Sequence, residues 1–238
     1  FLFNINCFLL NKIINLKAVY FIIMKNILLK TKDLKAMNKE VRVHLINSLG
    51  GFKSVALIGT QSSKGNNNLA IFSSIFHLGA NPPLIALLFR PSPPERDTMR
   101  NILETGFYTI NHITETIYTK AHQTSARYDA AISEFEAVGL TPECKENFLA
   151  PFVKESVIQL GIAFKEKVDI TINNTTMIIG EIVQIYIPES CYNEDGFVDI
   201  EKANTITCSG LDSYHKTVRL DRLSYAKPDK EITSIPIS

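Results

Sequence analysis

The sequence predicts a mainly β protein with short helices, a closed antiparallel β-barrel, on three observations. About six apolar strand-like runs are separated by turn residues and by only short helical pieces. Those runs are nearly continuous rather than alternating, as in strands covered on both faces and closed against exposed edges. No G-x-G-x-x-G follows any of them, which argues against a dinucleotide-binding βαβ sheet.

Taken in order, Val41–Asn47 forms a short lead-in helix and Lys53–Gly59 (KSVALIG) a first strand. Gly59-Thr60-Gln61-Ser62-Ser63-Lys64-Gly65 reads as a polar connection. Asn68–Ser74 and Leu84–Phe89 follow as strands, the second bounded by Pro82-Pro83 and Arg90-Pro91. The period then changes. In ERDTMRNILETG, Met99, Ile102 and Leu103 recur at helical spacing, with Asp97 as N-cap and Gly106 as the stop. Phe107–Ile113 returns to strand, and Ile117–Tyr128 and Ile132–Val138 are helical. Val157–Phe164 and Thr176–Ile187 are long strands about an Asn173-Asn174 turn, and Ala203–Cys208 is one more strand.

The 238 residues have room for one domain with a proper core. Two pieces are expected: an N-terminal extension over 1–36 and the barrel domain over 37–238. Residues 1–36 hold six Lys and one Asp; out of 25 basic and 24 acidic residues in all, the remainder carries 19 and 23, a mildly acidic body. Net charge of +1 without a basic block argues against a nucleic-acid surface. The apolar N-terminal stretch is interrupted by Asn4, Asn6, Asn11, Lys12, Asn15 and Lys17, too polar for a span of about 20 residues. It lacks the charged start and cleavage site of a signal peptide. Translation is expected to begin at Met24 or Met37, the alternative being an interfacial anchor. Cys7, Cys144, Cys191 and Cys208 show neither zinc spacing nor a disulfide framework, and read as free thiols of a reducing cytoplasm.

Polar residues interrupt the strands where a barrel wall should be apolar. Asn68, Ala70 and Ser73 form N-x-A-x-x-S, in which the amide and hydroxyl supply hydrogen bonds and the small alanine lets a planar ligand approach the backbone. Beyond the next strand come Arg90 and the helix start bearing Thr98. A guanidinium, a hydroxyl and free backbone N–H groups at the positive end of a helix suit a phosphate. Plainer readings stand beside these. Asn66 and Asn67 are a turn; Ser73 and Ser74 could be satisfied core hydroxyls, and Arg90 a solvated strand end. His77 reads as a packed, hydrogen-bonded histidine, His122 as either helix surface or ligand contact, and Glu181 as a structural or interface carboxylate. No Ser/His/Asp, Cys/His or paired-carboxylate arrangement points to hydrolysis.

The ordered series N-x-A-x-x-S, Asn81-Pro82-Pro83, the apolar strand ending FRP, R-D-T-x-x-N-I and FYTIN resembles the flavin reductase-like family. The likeness continues through AHQTSARY (121–128), SEFEAVGL, APFVKES, IIGEIV and SGLDSY, and covers roughly residues 40–225. The resemblance implies a Greek-key FMN-binding split barrel forming a homodimer with FMN at the subunit interface. It implies Asn68, Ala70 and Ser73 beside the flavin, Arg90 and Thr98 on its phosphate, and Thr60, Ser62 and Ser74 close by. His122, Thr124 and Ser125 would cover the flavin from the same or the partner subunit. The implied function is an FMN-dependent, NADH- or NADPH-oxidising flavin reductase passing electrons to a small-molecule or protein acceptor. The alternatives are an FMN-binding electron-transfer module without its own nicotinamide oxidation, and a cofactor-free barrel used for protein contacts.

Overall fold

The computed structural model describes residues 26–91, 97–129 and 132–237. It divides into two units with the boundary between Val43 and His44. In the first, helix α1 (Thr31–Ala36) starts at Lys30, whose backbone N–H donates to Asp33 Oδ2 at 2.8 Å. Helix α2 runs Lys39–Ser48. No described helix is long and apolar enough to cross a membrane.

The second unit is organised by seven antiparallel strands in the order β2-β1-β5-β8-β9-β4-β3. These are β1 (Ala56–Gln61), β2 (Asn67–Phe72), β3 (Ile75–Ala80), β4 (Pro83–Phe89), β5 (Phe107–His112), β8 (Gln159–Ile170) and β9 (Thr175–Tyr186). Two short pairs complete the strands: β6 (Pro142–Glu143) with β7 (Phe152–Val153), and β10 (Thr207–Ser209) with β11 (Ser213–His215). Helices α3 (Asp97–Thr105), α4 (Tyr118–Gln123) and α5 (Glu134–Val138) are short, as expected.

The near-continuous apolar runs have a direct cause. On β1, Ala56 and Ile58 join a core with Leu87, Ile102, Tyr108 and Ile178, while Leu57, with Val55 just before the strand, joins another with Leu69, Phe135 and Val153. Successive strand residues face opposite ways, so a strand between two cores must be apolar throughout. Helix α3 stops where foreseen, with Gly106 at φ 77°. It begins at Asp97, whose carboxylate pairs with Arg100; the position that would cap it lies outside the described residues.

Four expectations need correction. The sheet is not a closed barrel, because its end strands β2 and β3 share no ladder. The chain instead steps from one edge to the other through Ser73 and Ser74 alone. Three residue steps reach at most about 11 Å, so the sheet curls until its ends almost meet and stays split there. The Ser74 carbonyl accepts the Leu88 backbone N–H at 2.9 Å, which continues the β3–β4 pairing by one residue, and across the seam the Phe72 and Phe89 rings meet edge-on at 4.8 Å. Strand β3 was not foreseen at all. His77 lies on it exposed, between the exposed Phe76 and Leu78, because beyond Ile75 neither face of this edge strand is covered. Of Ala203–Cys208 only the end is strand, in the β10–β11 pair. The Asn173-Asn174 turn is present, with Asn174 at φ 55°. Glu181 meets Lys165 Nζ at 2.6 Å, a pairing between neighbouring strands.

Candidate functional site

A cavity of about 490 Å³ opens at the seam. One wall is the β2–β3 step, where Ser73 and Ser74 lie outside the strands and keep their hydroxyls free of a pleated face. The facing wall is the end of β4, carrying Leu88, Phe89 and Arg90. Asn174 and Thr176 enter from the β8–β9 hairpin because Thr176 pairs with Phe89 in the ladder. His122 of α4, Ser125 just beyond it, and Cys208 and Tyr214 from the β10–β11 pair contribute the remaining polar groups. Val55, Ile71, Met99 and Leu211 make the surroundings apolar.

The electrostatics are those of a cationic rim over a partly dry interior. Arg90 is exposed and its Nη2 donates to Asn47 Oδ1 at 2.6 Å, which holds the guanidinium at the edge of the cavity. His122 Nδ1 and the Tyr214 hydroxyl are 2.7 Å apart, with the rings edge-on. Burial, then the neighbouring Cys208 and Asp212, pushes the Tyr214 phenol up to about 12. Burial also raises the Cys208 thiol, opposed by Lys53 and by a hydrogen bond with Ser73. Both groups are therefore neutral at physiological pH.

The residues singled out in sequence fall into separate places. Ser73, Ser74, Arg90, His122 and Ser125 line the cavity together. Thr60, Asn68 and Thr98 do not; they form a buried network of their own. Asn68 Nδ2 donates to Thr60 Oγ1 at 3.0 Å and to Thr98 Oγ1 at 3.1 Å, and Asn101 Nδ2 donates to Thr60 at 3.2 Å. Thr98 is thus tied to β2. Ala70 pairs with Ile58 in the β1–β2 ladder. The Ser62 hydroxyl accepts the Asn66 N–H at 3.1 Å within the β1–β2 turn, and Thr124 donates to the Ala121 carbonyl at 2.8 Å.

Sequence reasoning missed Cys208, Tyr214, Asn174 and Thr176. Tyr214 stands in the SGLDSY segment, which carried the likeness without a role being assigned to it. For the hairpin residues no local signal existed, since only the β4–β9 register brings them to the seam.

An open, curled antiparallel sheet with a polar-lined cavity at its split defines the class, and the comparisons supply the family. Residues 52–201 match the flavin reductase like domain, so this chain belongs to that family. It is similar to a split-barrel protein of Shewanella frigidimarina NCIMB 400, provisionally named a flavin reductase. The two are 48% identical with a TM-score of 0.81, over 84% of this chain and 100% of that one. Component B of nitrilotriacetate monooxygenase from Bacillus cereus shares the fold at 24% identity and TM-score 0.74, over 84% of this chain and 100% of its own. So does flavoredoxin of Desulfovibrio vulgaris (Miyazaki F), at 23% and 0.62, over 75% and 92%.

Proposed function

We propose that this protein binds FMN in the seam cavity and works as an FMN-dependent oxidoreductase of the NAD(P)H:flavin reductase type. The observation that carries the reading is the convergence of Arg90, Ser73, Ser74 and Ser125 on one cavity of about 490 Å³ with apolar walls. That volume lies within the range of small-molecule sites, and the mixture suits a ligand with a flat ring system, a hydroxylated chain and an anionic end. Bound FMN would supply the redox chemistry, accepting a hydride from NADH or NADPH and releasing electrons to an acceptor.

The chain's own residues do the positioning. Arg90 at the rim offers charge-assisted donors to the phosphate. The serine hydroxyls answer the polar edge of the ring and its side chain. The Asn68 network fixes β2 against α3, so that the step at Ser73–Ser74 starts from a rigid edge. Free thiols, with Cys144 exposed, accord with a cytoplasmic setting.

The test is an absorbance spectrum of the purified protein, an FMN titration, and anaerobic mixing of the complex with NADH and NADPH. Saturable binding followed by rapid bleaching is expected. Binding without bleaching would make the protein an FMN electron-transfer module instead, and absence of binding would overturn the reading.

A further inference from the structure

A second concavity, a groove of about 500 Å³, lies where β8 begins and β9 ends. Gln159 of β8 pairs there with Tyr186 of β9, whereas Thr176, which lines the seam cavity, pairs with Asp169 near the hairpin. Ten residue steps along β9, about 33 Å of strand, separate Thr176 from Tyr186. The groove and the seam cavity share no lining residue. The polar groups of the groove are held in place. Gln159 is 3% exposed, and its Nε2 donates to the Val153 carbonyl at 2.6 Å. That bond fixes Gln159 Oε1, which accepts from Lys145 Nζ at 2.6 Å. The same ammonium meets Glu143 Oε2 at 3.2 Å and lies over the Tyr186 ring at 4.4 Å. Lys154 is exposed and enters none of the ion pairs of the described residues. Ser156 is 7% exposed, and its buried hydroxyl meets no partner among the described residues.

Two features of this groove ask for a ligand. A buried hydroxyl without a partner is destabilising unless something bonds it. Among the lining groups, Lys145 and Lys154 against the single carboxylate of Glu143 leave one positive charge. The rest of the wall is apolar, made by Val157, Ile185, Ile187 and Pro188. We propose that the groove is a second ligand site, outside the seam cavity, that takes a small monocarboxylate with an apolar body. The carboxylate meets the Lys154 ammonium and the pre-set Lys145 ammonium. The Ser156 hydroxyl donates to one carboxylate oxygen, and it turns there without breaking an existing bond. The apolar body covers Val157 and Ile185, which are otherwise exposed. Charge-assisted hydrogen bonds thus fix the orientation while apolar contact supplies the area. A bare inorganic anion would satisfy the charge and leave the apolar wall in water.

This inference stands apart from the flavin reading. The probe is hexanoate, titrated into the full chain with and without FMN and followed by backbone amide NMR. Saturable shifts are expected at Lys154, Ser156 and Tyr186 and not at Ser73 or Ser74. The neutral hexanamide and inorganic phosphate should both bind more weakly than hexanoate. Lys154→Ala should weaken hexanoate about threefold, the scale of an exposed charge. Ser156→Ala should weaken it about tenfold, while the urea midpoint without ligand stays unchanged or rises, since the hydroxyl serves no bond in the fold itself. Shifts confined to the seam, equal binding of hexanamide or phosphate, or an affinity that neither substitution alters would each overturn the site. FMN should leave hexanoate affinity unchanged, and displacement of hexanoate by FMN would overturn the separation of the two sites. A chain that binds hexanoate but not FMN sinks only the cofactor, and one that binds FMN but not hexanoate sinks only the groove.

Discussion

The side-chain amide of Asn68 reaches the hydroxyl of Thr98 at 3.1 Å, joining strand β2 to helix α3 across thirty residues of sequence. The same amide nitrogen donates to Thr60, so a single buried group ties β1 and α3 to β2, although Thr60, Asn68 and Thr98 do not themselves line the cavity. Replacing Asn68 by Ala strands the buried Thr98 hydroxyl and leaves Thr60 with Asn101 alone, a loss of about 1–3 kcal/mol. Urea unfolding should show that loss. FMN affinity of the folded variant should fall less than for a change at Arg90. An unaltered urea midpoint with abolished flavin binding would instead make Asn68 a direct ligand.

Arg90 is the opposite case, an exposed cation whose removal leaves the fold intact. Solvent screens it, so Arg90→Ala should weaken FMN by only about 1–2 kcal/mol, on the order of tenfold in Kd. Riboflavin, which lacks the phosphate, should bind both forms alike in a fluorescence titration. Arg90→Lys should recover part of the loss, because an ammonium meets phosphate as a point charge without the planar fork. Equal losses for FMN and riboflavin would place the guanidinium elsewhere on the ligand.

The same contrast marks how far the sequence could be read. Ser73, Ser74 and Arg90 were legible because polar groups interrupt or end apolar runs. The helix Asp97–Thr105 was legible because its period changes and Gly106 ends it at positive φ. Strand β3 was not, since an edge strand needs one buried residue, Ile75, and can fill its other positions with His77, Gly79 and Ala80. Nor was the split in the sheet. Whether two edges pair is decided by strands far apart in the chain, and the turn chemistry at Ser73–Ser74 is silent on it. Thr98 was placed on the helix start where it stands, but its bond from Asn68 was not legible, because the pattern cannot say which way a hydroxyl turns.

Gly59 carries a packing prediction. A methyl group there would stand 2.2 Å from the Pro151 carbonyl oxygen and 2.5 Å from Thr109 Oγ1. The first obstacle is backbone and cannot rotate away. Gly59→Ala should therefore cost at the upper end of the overpacking range, about 3 kcal/mol. Gly79→Ala is the control: its nearest obstacle is 3.4 Å away, and its expected effect is under about 1 kcal/mol. Comparable thermal midpoints for the two variants would contradict the close approach of β1 to the Pro151 segment.

His112, at the end of β5, gives the fold a pH dependence. Its Nδ1 meets Thr205 Oγ1 at 3.1 Å, and burial pushes its pKa down to about 4. The unfolded chain takes up the proton as pH falls through about 6.5, whereas the folded chain resists until about 4. The unfolded state therefore binds more protons in that window. Stability is complete above about pH 6.5 and drains away toward pH 4, by about 1.4 kcal/mol per unit at most. His112→Gln keeps a polar partner for Thr205 and removes the titration. Urea unfolding at pH 7.5 and 4.5 should then show the wild type losing about 2 kcal/mol more than the variant between the two conditions. If both lose the same amount, the acid sensitivity belongs to carboxylates and His112 has no part in it.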